Sequence, residues 1–169
     1  MHGIARVLGV DTSLRSTGVA VVDASGNRIT AVEYGAIRPP RNASHSECLI
    51  SIFRGISEAI ERFQPEAAAM EGIFFCRNVA TAVVLGEARG AVMCACADRG
   101  VPLYEYAPRR VKQAVVGYGG ADKSQVRRMI VSMLGLEREP QEDAGDALAI
   151  AICHVHCRTG LADLMPDPI

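Results

Sequence analysis

Apolar residues in the first 37 positions fall into short runs separated by polar turn signals. The runs at residues 6–10, 17–22 and 28–37 have the length and composition of β-strands, and the turn Ser25-Gly26-Asn27 separates the second from the third. Because the connections are short, we expect these three strands to pair as an antiparallel meander.

After Pro39-Pro40 the pattern changes to helical spacing. Apolar residues recur at positions 49, 52, 53, 56 and 60, which predicts a helix over 46–63. The same reasoning predicts helices over 78–97, 108–116, 124–134 and 142–157, with strands over 67–70 and 102–106 between them.

This order of elements predicts an α/β fold with one mixed five-stranded sheet. Three antiparallel strands come first, parallel strands follow, and helices flank the sheet, a pattern typical of the ribonuclease-H-like class. We expect one domain over 1–158 and a short C-terminal tail over 159–169, whose last nine residues look loose.

Composition narrows the class of protein without identifying its chemistry. The chain of 169 residues is 49% hydrophobic and 22% charged, which fits a single soluble domain. Six cysteines without a secretion signal indicate free thiols in a reducing, cytoplasmic compartment. Glu87 and Arg89 interrupt the longest apolar stretch, so we expect no membrane span. The net charge of −1 neither favours nor excludes nucleic acid.

Four acidic residues stand where a fold of this class would bring them together. Asp11 and Glu71 each follow a buried strand, and Asp143 and Asp146 are spaced i, i+3 on the last helix. Taken singly, Asp11 could be a turn former and Asp143 a first-turn acid. Taken together, four crowded carboxylates need a compensating cation, and hard oxygen ligands favour Mg²⁺ or Mn²⁺. Two such ions could clamp a phosphodiester.

A basic segment surrounds a glycine loop later in the chain. Between positions 109 and 128 there are six basic residues and only one acid, Asp122. This could be a solvated helix face, but Gly117, Gly119 and Gly120 would also let backbone amides approach a phosphate. The run GYGGADKS imitates a nucleotide-binding P-loop, but Asp122 replaces the glycine before the lysine, so we expect no nucleotide there.

Three further features have competing interpretations. One of Phe74 and Phe75 could offer a stacking surface beside the carboxylates, although a core position is the default for either. The small residues of the helix over 78–97 could pack on the sheet and also against a second subunit. The last helix carries a rival metal set, Cys153, His154, His156 and Cys157, with Cys94 and Cys96 as further thiols. Only two groups of that set share a face, so we expect no zinc, with buried thiols and partly exposed histidines instead.

Four segments together resemble the RuvC family of Holliday-junction resolvases, in order and spacing as well as content. They are LGVDTSLRSTGVAVV, MEGIFFCRNVATAVVLGEARG, YEYAPRRVKQAVVGYGGADKSQV and PQEDAGDALAIAICH. The resemblance implies a homodimer that nicks two opposed strands of a four-way DNA junction with two Mg²⁺ ions, or Mn²⁺ in their place. It also implies the RuvA–RuvB branch-migration complex as a partner. Where the family usually has Pro-Gly after the first aspartate, this chain has Thr12-Ser13, which alters the loop.

The resemblance also assigns roles to residues. It implies that Asp11, Glu71, Asp143 and Asp146 are catalytic metal ligands and that Lys123 acts near the scissile phosphate. The residues expected to contact DNA are Phe74, Arg77, Asn78, Arg109, Lys112, Gly119, Lys123 and Arg127.

Alternative functions remain at this point. A ribonuclease-H-type or ribosomal-RNA-processing nuclease would keep the fold and act on RNA or an RNA–DNA hybrid. An actin-like ATP-binding domain is a second class, because DTSLRSTG resembles its first phosphate loop, but that fold needs two such domains. A non-catalytic junction-binding module is a third, and it is disfavoured because all four carboxylates are present.

Overall fold

A five-stranded mixed sheet lies at the centre of the protein, with helices on both faces. The computed structural model describes residues 5–73, 78–160 and 165–169. Its elements are, in chain order, β1 Ala5–Asp11, β2 Thr17–Ser25, β3 Arg28–Ile37, α1 His45–Phe63, β4 Ala67–Glu71, α2 Val79–Asp98, β5 Leu103–Tyr106, α3 Pro108–Val116, α4 Lys123–Leu134 and α5 Glu142–Gly160.

The strand order β3-β2-β1-β4-β5 confirms the predicted sheet. β2 is antiparallel to both β1 and β3, whereas β4 is parallel to both β1 and β5. Val10 pairs with Met70 in the parallel ladder, so β1 and β4 end at the same edge. The topology therefore brings the residues that follow these two positions, Asp11 and Glu71, next to each other.

Each face of the sheet has its own hydrophobic core. One core contains Leu8, Ile52 and Val92, and joins the sheet to α1 and α2. The other contains Val7, Ile130 and many residues of α5, and joins the sheet to α3, α4 and α5. Since successive strand residues point to opposite faces, Val7 and Leu8 enter different cores.

Two glycines let α5 approach the sheet more closely than any other residue would. A Cβ on Gly9 would lie 2.1 Å from the carbonyl oxygen of Ala147, and one on Gly18 would lie 2.0 Å from the carbonyl oxygen of Asp143. Gly18 is the ladder partner of Asp11. The start of α5 therefore packs directly on the last residues of β1 and the first residues of β2.

Replacing Gly18 with alanine is expected to push the first turn of α5 away from the sheet. We expect Gly18→Ala to lower the free energy of unfolding by about 1–3 kcal/mol, as overpacking of a close contact usually does. Urea unfolding would measure the change. Gly35→Ala is the matched control, because a Cβ on Gly35 of β3 would have nothing within 4 Å. Equal destabilisation by the two variants would contradict this explanation.

The end of the chain differs from the expected loose tail. α5 continues to Gly160, and the last residue then lies against the sheet, where the Ile169 backbone N–H donates to the Leu103 carbonyl oxygen at 2.8 Å. Met165 packs against the core on the α5 side. Because β5 is an edge strand, its outer backbone groups are available for such pairing.

Candidate active site

The four predicted carboxylates come from three elements that meet at one edge of the sheet. Asp11 is the last residue of β1 and Glu71 the last of β4. Asp143 and Asp146 lie in the first two turns of α5, which Gly18 allows close to Asp11. All four side chains are neither fully buried nor exposed, so solvent can reach the group that they form.

Mutual repulsion and burial make this group electrostatically unusual. The pKa of Asp11 is raised to about 7, first by burial and then by the charges of Asp146, Glu71 and Asp143. Burial, followed by the charge of Asp146, raises the pKa of Glu71. The pKa of Asp146 is also raised by burial, although Lys123 opposes the shift. Perturbed carboxylates that share a cleft are characteristic of functional sites.

The two helical aspartates each lie beside a positively charged side chain. The Lys123 Nζ lies 3.5 Å from the Asp146 Oδ2 and 2.6 Å from the Glu142 Oε1. Asp143 accepts a hydrogen bond from the Ser16 hydroxyl, and an Arg38 nitrogen lies 3.5 Å from the Asp143 Oδ2. Within the described part of the chain, neither Asp11 nor Glu71 forms an ion pair.

The donor set fits a hard cation in its chemistry. It supplies carboxylate oxygens alone, and burial together with the neighbouring acids outweighs Lys123 in raising the pKa of Asp11. Over residues 5–73, 78–160 and 165–169, no three acidic, histidine or cysteine side chains stand close enough to hold a metal ion as they are. To hold such an ion, the Asp143 and Asp146 carboxylates would have to turn from Arg38 and Lys123.

Two small cavities open on either side of Glu71. One, of about 120 Å³, is lined by Glu71, Asp146, Lys112 and Lys123 over an apolar base. The other, of about 60 Å³, is lined by residues that include Asp11, Thr12, Glu71 and Arg89. The site thus has room for small groups next to its carboxylates, with lysines on one side.

Hydrogen bonds support the loop that contains Thr12 and Ser13, the pair that replaces the usual Pro-Gly. The Thr17 hydroxyl donates to the Ser13 carbonyl oxygen at 2.6 Å, and the Ser13 N–H donates back to the Thr17 Oγ1 at 3.4 Å. Thr17 is fully buried, so this pair of bonds fixes the loop after Asp11. In the described residues the Thr12 hydroxyl is buried without a hydrogen-bond partner.

The predicted DNA-contacting residues fall into different environments. Lys112 and Lys123 line the larger cavity, and Arg109 is exposed and lies across Gly119, where a Cβ would be 2.5 Å from the Arg109 Cγ. Arg127 is partly buried, and its Nε lies 3.3 Å from the Glu139 Oε1. Of these residues, the two lysines therefore share a cavity with Glu71 and Asp146.

Of the remaining DNA-contact predictions, the one that falls on a described residue lies at the amino end of α2. Asn78 is the N-cap of α2, and its Oδ1 accepts the Thr81 N–H at 3.1 Å. Phe74, Phe75 and Arg77 lie outside the described residues. Sequence reasoning missed three other residues at the site, namely Ser16, Arg38 and Arg89. Arg89 of α2 donates to the Glu71 carbonyl oxygen and pairs with Glu105.

The thiols and imidazoles of α5 take part in packing. His154 is buried, contrary to the expected partial exposure, and its Nδ1 lies 2.9 Å from the Tyr106 hydroxyl. Burial lowers the pKa of His154 to about 4, so its imidazole is neutral at physiological pH. The His156 Nδ1 lies 2.7 Å from the Ala114 carbonyl oxygen, and Arg110 donates to the Cys157 Sγ at 3.5 Å.

A ribonuclease-H-like sheet with these carboxylates and lysines at one edge defines the chain as a metal-dependent nuclease. Residues 7–154 match the family model described as "Crossover junction endodeoxyribonuclease RuvC". The chain belongs to this family of crossover junction endodeoxyribonucleases, hydrolases of DNA phosphodiester bonds.

Individual relatives agree with this assignment. The proteins of this name from Chloroflexus aggregans and Halorhodospira halophila are each 46% identical, over 152 and 156 residues. These alignments cover 89% and 92% of this chain and 93% of each relative. The structure of Thermus thermophilus RuvC in complex with a Holliday junction substrate superposes with a TM-score of 0.89 at 33% identity, covering 98% of this chain and 99% of that one.

Proposed function

We propose that this protein resolves Holliday junctions by paired symmetric nicks, in homologous recombination and DNA repair. The observation that carries the proposal is the convergence of Asp11, Glu71, Asp143 and Asp146 at one edge of a sheet. The junction as substrate is supported by Thermus thermophilus RuvC, whose structure was determined in complex with a Holliday junction substrate. A nuclease acting on RNA is not favoured by any of the relatives.

The four carboxylates would hold two Mg²⁺ ions, with Mn²⁺ as the alternative. When bound, the ions would supply Lewis-acid chemistry for hydrolysis of a phosphodiester to a 5′-phosphate and a 3′-hydroxyl. Lys123 is half exposed and already beside Asp146, so it can turn to neutralise the scissile phosphate. Lys112, at the same cavity, can contact a neighbouring phosphate.

The DNA backbone would run across the basic side of the carboxylates. Arg109, Lys112 and Lys123 supply charge there, and phosphate neutralisation makes binding strongly salt dependent. We propose that Phe74, Arg77 and Asn78 contact the junction bases, and that Gly119 and Arg127 complete the backbone contact.

We propose that the outer face of α2 forms the contact of a homodimer. Val79 and Val83 are 79% and 55% exposed, and Met93 is 40% exposed on the same side. Gly86 and Gly90 lie between them, and a Cβ on either would meet nothing within 4 Å, so a second helix can approach closely there. A twofold dimer suits a substrate that is cut at two symmetrical places.

We attribute the apolar character of α2 to this subunit contact and not to insertion into a membrane. With a mean hydropathy of 1.5 over 18 residues, α2 is long and apolar enough to cross a bilayer by composition, and only 22% of that window is buried. However, Glu87 pairs with His45 at 2.6 Å and Arg89 pairs with Glu105, which fastens the helix into the domain. A second copy of α2 would cover the exposed apolar side.

A charge at the centre of this face is expected to separate the subunits. Val83→Glu should give a monomer by light scattering at concentrations where the wild type is a dimer, because the carboxylate would be buried without a partner. The variant should also lose coordinated nicking of the two strands. Ile50→Glu is the matched control, since Ile50 is 43% exposed on α1. A dimeric Val83→Glu protein would place the interface elsewhere.

Cleavage by the purified protein tests the proposed function directly. Four-way DNA, an RNA–DNA hybrid and structured RNA would be compared in a titration of Mg²⁺ and of Mn²⁺. We expect paired nicks in the four-way DNA alone, and preferential cleavage of either RNA substrate would overturn the proposal. We place the reaction in the cytoplasm, with the RuvA–RuvB complex as a partner, which a pull-down with the purified complex would test.

A further inference from the structure

Arg38 lies at the same edge of the sheet as the carboxylates, directly after β3, a strand that carries none of them. It follows Ile37, the last residue of β3, which pairs with Thr17 at the start of β2. The next residue of β2, Gly18, pairs with Asp11. The turn at the end of β3 therefore opens directly beside the active site.

Three polar groups hold the Arg38 guanidinium in place. Its Nε donates to the Ser16 Oγ at 3.2 Å, and its Nη2 donates to the Gln141 Oε1 at 2.9 Å. The same Nη2 lies 3.5 Å from the Asp143 Oδ2, which also accepts a bond from Ser16. The side chain is nevertheless 52% exposed. An arginine that is oriented at several points and still open to solvent is well placed to bind an anion.

The position of Arg38 complements that of Lys123. Lys123 stands beside Asp146 and faces the cavity that Glu71 and Lys112 line, whereas Arg38 stands beside Asp143. Each helical carboxylate thus has its own cation. A DNA strand that crosses the site would meet one positively charged side chain beside Asp143 and another beside Asp146.

We propose that Arg38 is a further phosphate-binding residue of the reaction, which exchanges the carboxylate of Asp143 for a phosphate oxygen of the cleaved strand. A cation held by Asp143 would replace Arg38 as the counter-charge of that carboxylate and leave the guanidinium available to the phosphate. Ser16 and Gln141 position the guanidinium throughout, and its planar fork can donate hydrogen bonds to two phosphate oxygens at once. This assignment rests on the proposed function, because it needs a DNA strand across the site.

The alternative role for Arg38 is a counter-ion that only balances Asp143 until a metal ion binds. The two roles differ in the salt dependence of DNA binding. A phosphate contact contributes about one unit to the slope of log affinity against log salt concentration, whereas a counter-ion of Asp143 contributes nothing.

The test compares Arg38→Ala with Arg28→Ala, an exposed arginine at the other end of β3. Ten strand residues separate the two positions by about 30 Å, so Arg28 is remote from the site. Binding of a labelled four-way junction would be measured in Ca²⁺ over a range of KCl concentrations, with the junction checked for cleavage on a denaturing gel. Cleavage kinetics in Mg²⁺ would give KM and kcat separately.

We expect Arg38→Ala to weaken junction binding about tenfold and to make the salt slope shallower by about one unit per subunit bound. Arg38→Lys should restore the slope but not the wild-type KM, because a single ammonium cannot make the paired contact. Arg28→Ala should match the wild type. Wild-type slope and affinity in Arg38→Ala would overturn the assignment, whether or not its Mg²⁺ requirement changes. Failure of the wild-type protein to bind or cut the junction would instead refute the proposed function.

Discussion

Asp146→Asn is expected to reduce cleavage of a four-way DNA junction on the order of 10²–10³-fold while leaving junction binding near the wild-type level. The amide keeps the size and shape of the side chain but removes the negative charge that a hard cation requires. Asp146 is also the carboxylate whose charge acts on both Asp11 and Glu71, so it is central to the group. Single-turnover cleavage in Mg²⁺ and binding in a gel-shift assay would measure the two effects.

Glu142→Gln provides the matched control for this substitution. Glu142 is exposed one turn before Asp146 on α5 and accepts a hydrogen bond from Lys123 at 2.6 Å, but it does not line the cavity that Asp146 lines. We expect its cleavage rate to stay within about threefold of the wild type, because exposed ion pairs contribute little. A normal rate in Asp146→Asn, or an equal loss in both variants, would show that Asp146 is not a metal ligand.

The part of the site that could be predicted from the sequence lies at the ends of regular elements. Asp11 and Glu71 were identifiable because each follows a short run of buried apolar residues, and such runs are a local signal. Asp143 and Asp146 were identifiable from their i, i+3 spacing on an apolar helix. The family resemblance linked these separate signals. In the structure, the parallel pairing of β1 with β4 brings Asp11 and Glu71 together.

The parts that could not be predicted depend on contacts between distant positions. Ser16 and Asp143 are 127 residues apart, and Arg38 and Gln141 are 103 residues apart. Ser16 and Arg38 lie in loops next to strands. Serine and arginine are common on protein surfaces, so neither residue gives a local signal of a functional site. Only the close seating of α5 over Gly18 brings them to the carboxylates.

The burial of α5 explains why reasoning from helical faces was wrong for His154. A helix on the surface has one polar side, and the expectation of partly exposed histidines assumed such a side. Instead, nearly every residue from Ala144 to Val155 is buried, because α5 packs against the sheet and against α3 and α4. His154 is accommodated there as a neutral ring through the Tyr106 hydroxyl.

Asp11→Asn is expected to stabilise the metal-free protein at pH 8 and to abolish its stabilisation by Mg²⁺. The pKa of Asp11 is about 7 in the folded state and near 3.8 in the unfolded chain, so between these values the folded state holds one more proton. The contribution of Asp11 to stability therefore falls as the pH rises from about 4 to 7, and it remains lost above 7. An asparagine carries no charge at any of these pH values and escapes the penalty.

The size of the effect follows from the size of the pKa shift. At about 1.4 kcal/mol per pKa unit, the shift from 3.8 to about 7 corresponds to an upper bound of roughly 4 kcal/mol. Asp11 is partly open to solvent, which screens its neighbours, so we expect about 2 kcal/mol. For a domain of this length that corresponds to a rise in Tm of about 4–8 °C.

The quantity to measure is the difference in the free energy of unfolding between Asp11→Asn and the wild type. Other groups titrate in the same pH range and change the stability in the opposite direction. The pKa of His154 is lowered to about 4, so its contribution to stability grows as the pH rises from about 4 to 6.5 and opposes that of Asp11. Subtracting the two unfolding curves at each pH removes His154. We expect a difference near zero at pH 4 that grows up to pH 7.

A cation that binds only the folded state should then raise the Tm of the wild type at pH 8 and leave the Tm of Asp11→Asn unchanged. A difference that is independent of pH, or an Mg²⁺ response that survives in Asp11→Asn, would mean that Asp11 does not share the charge of the site.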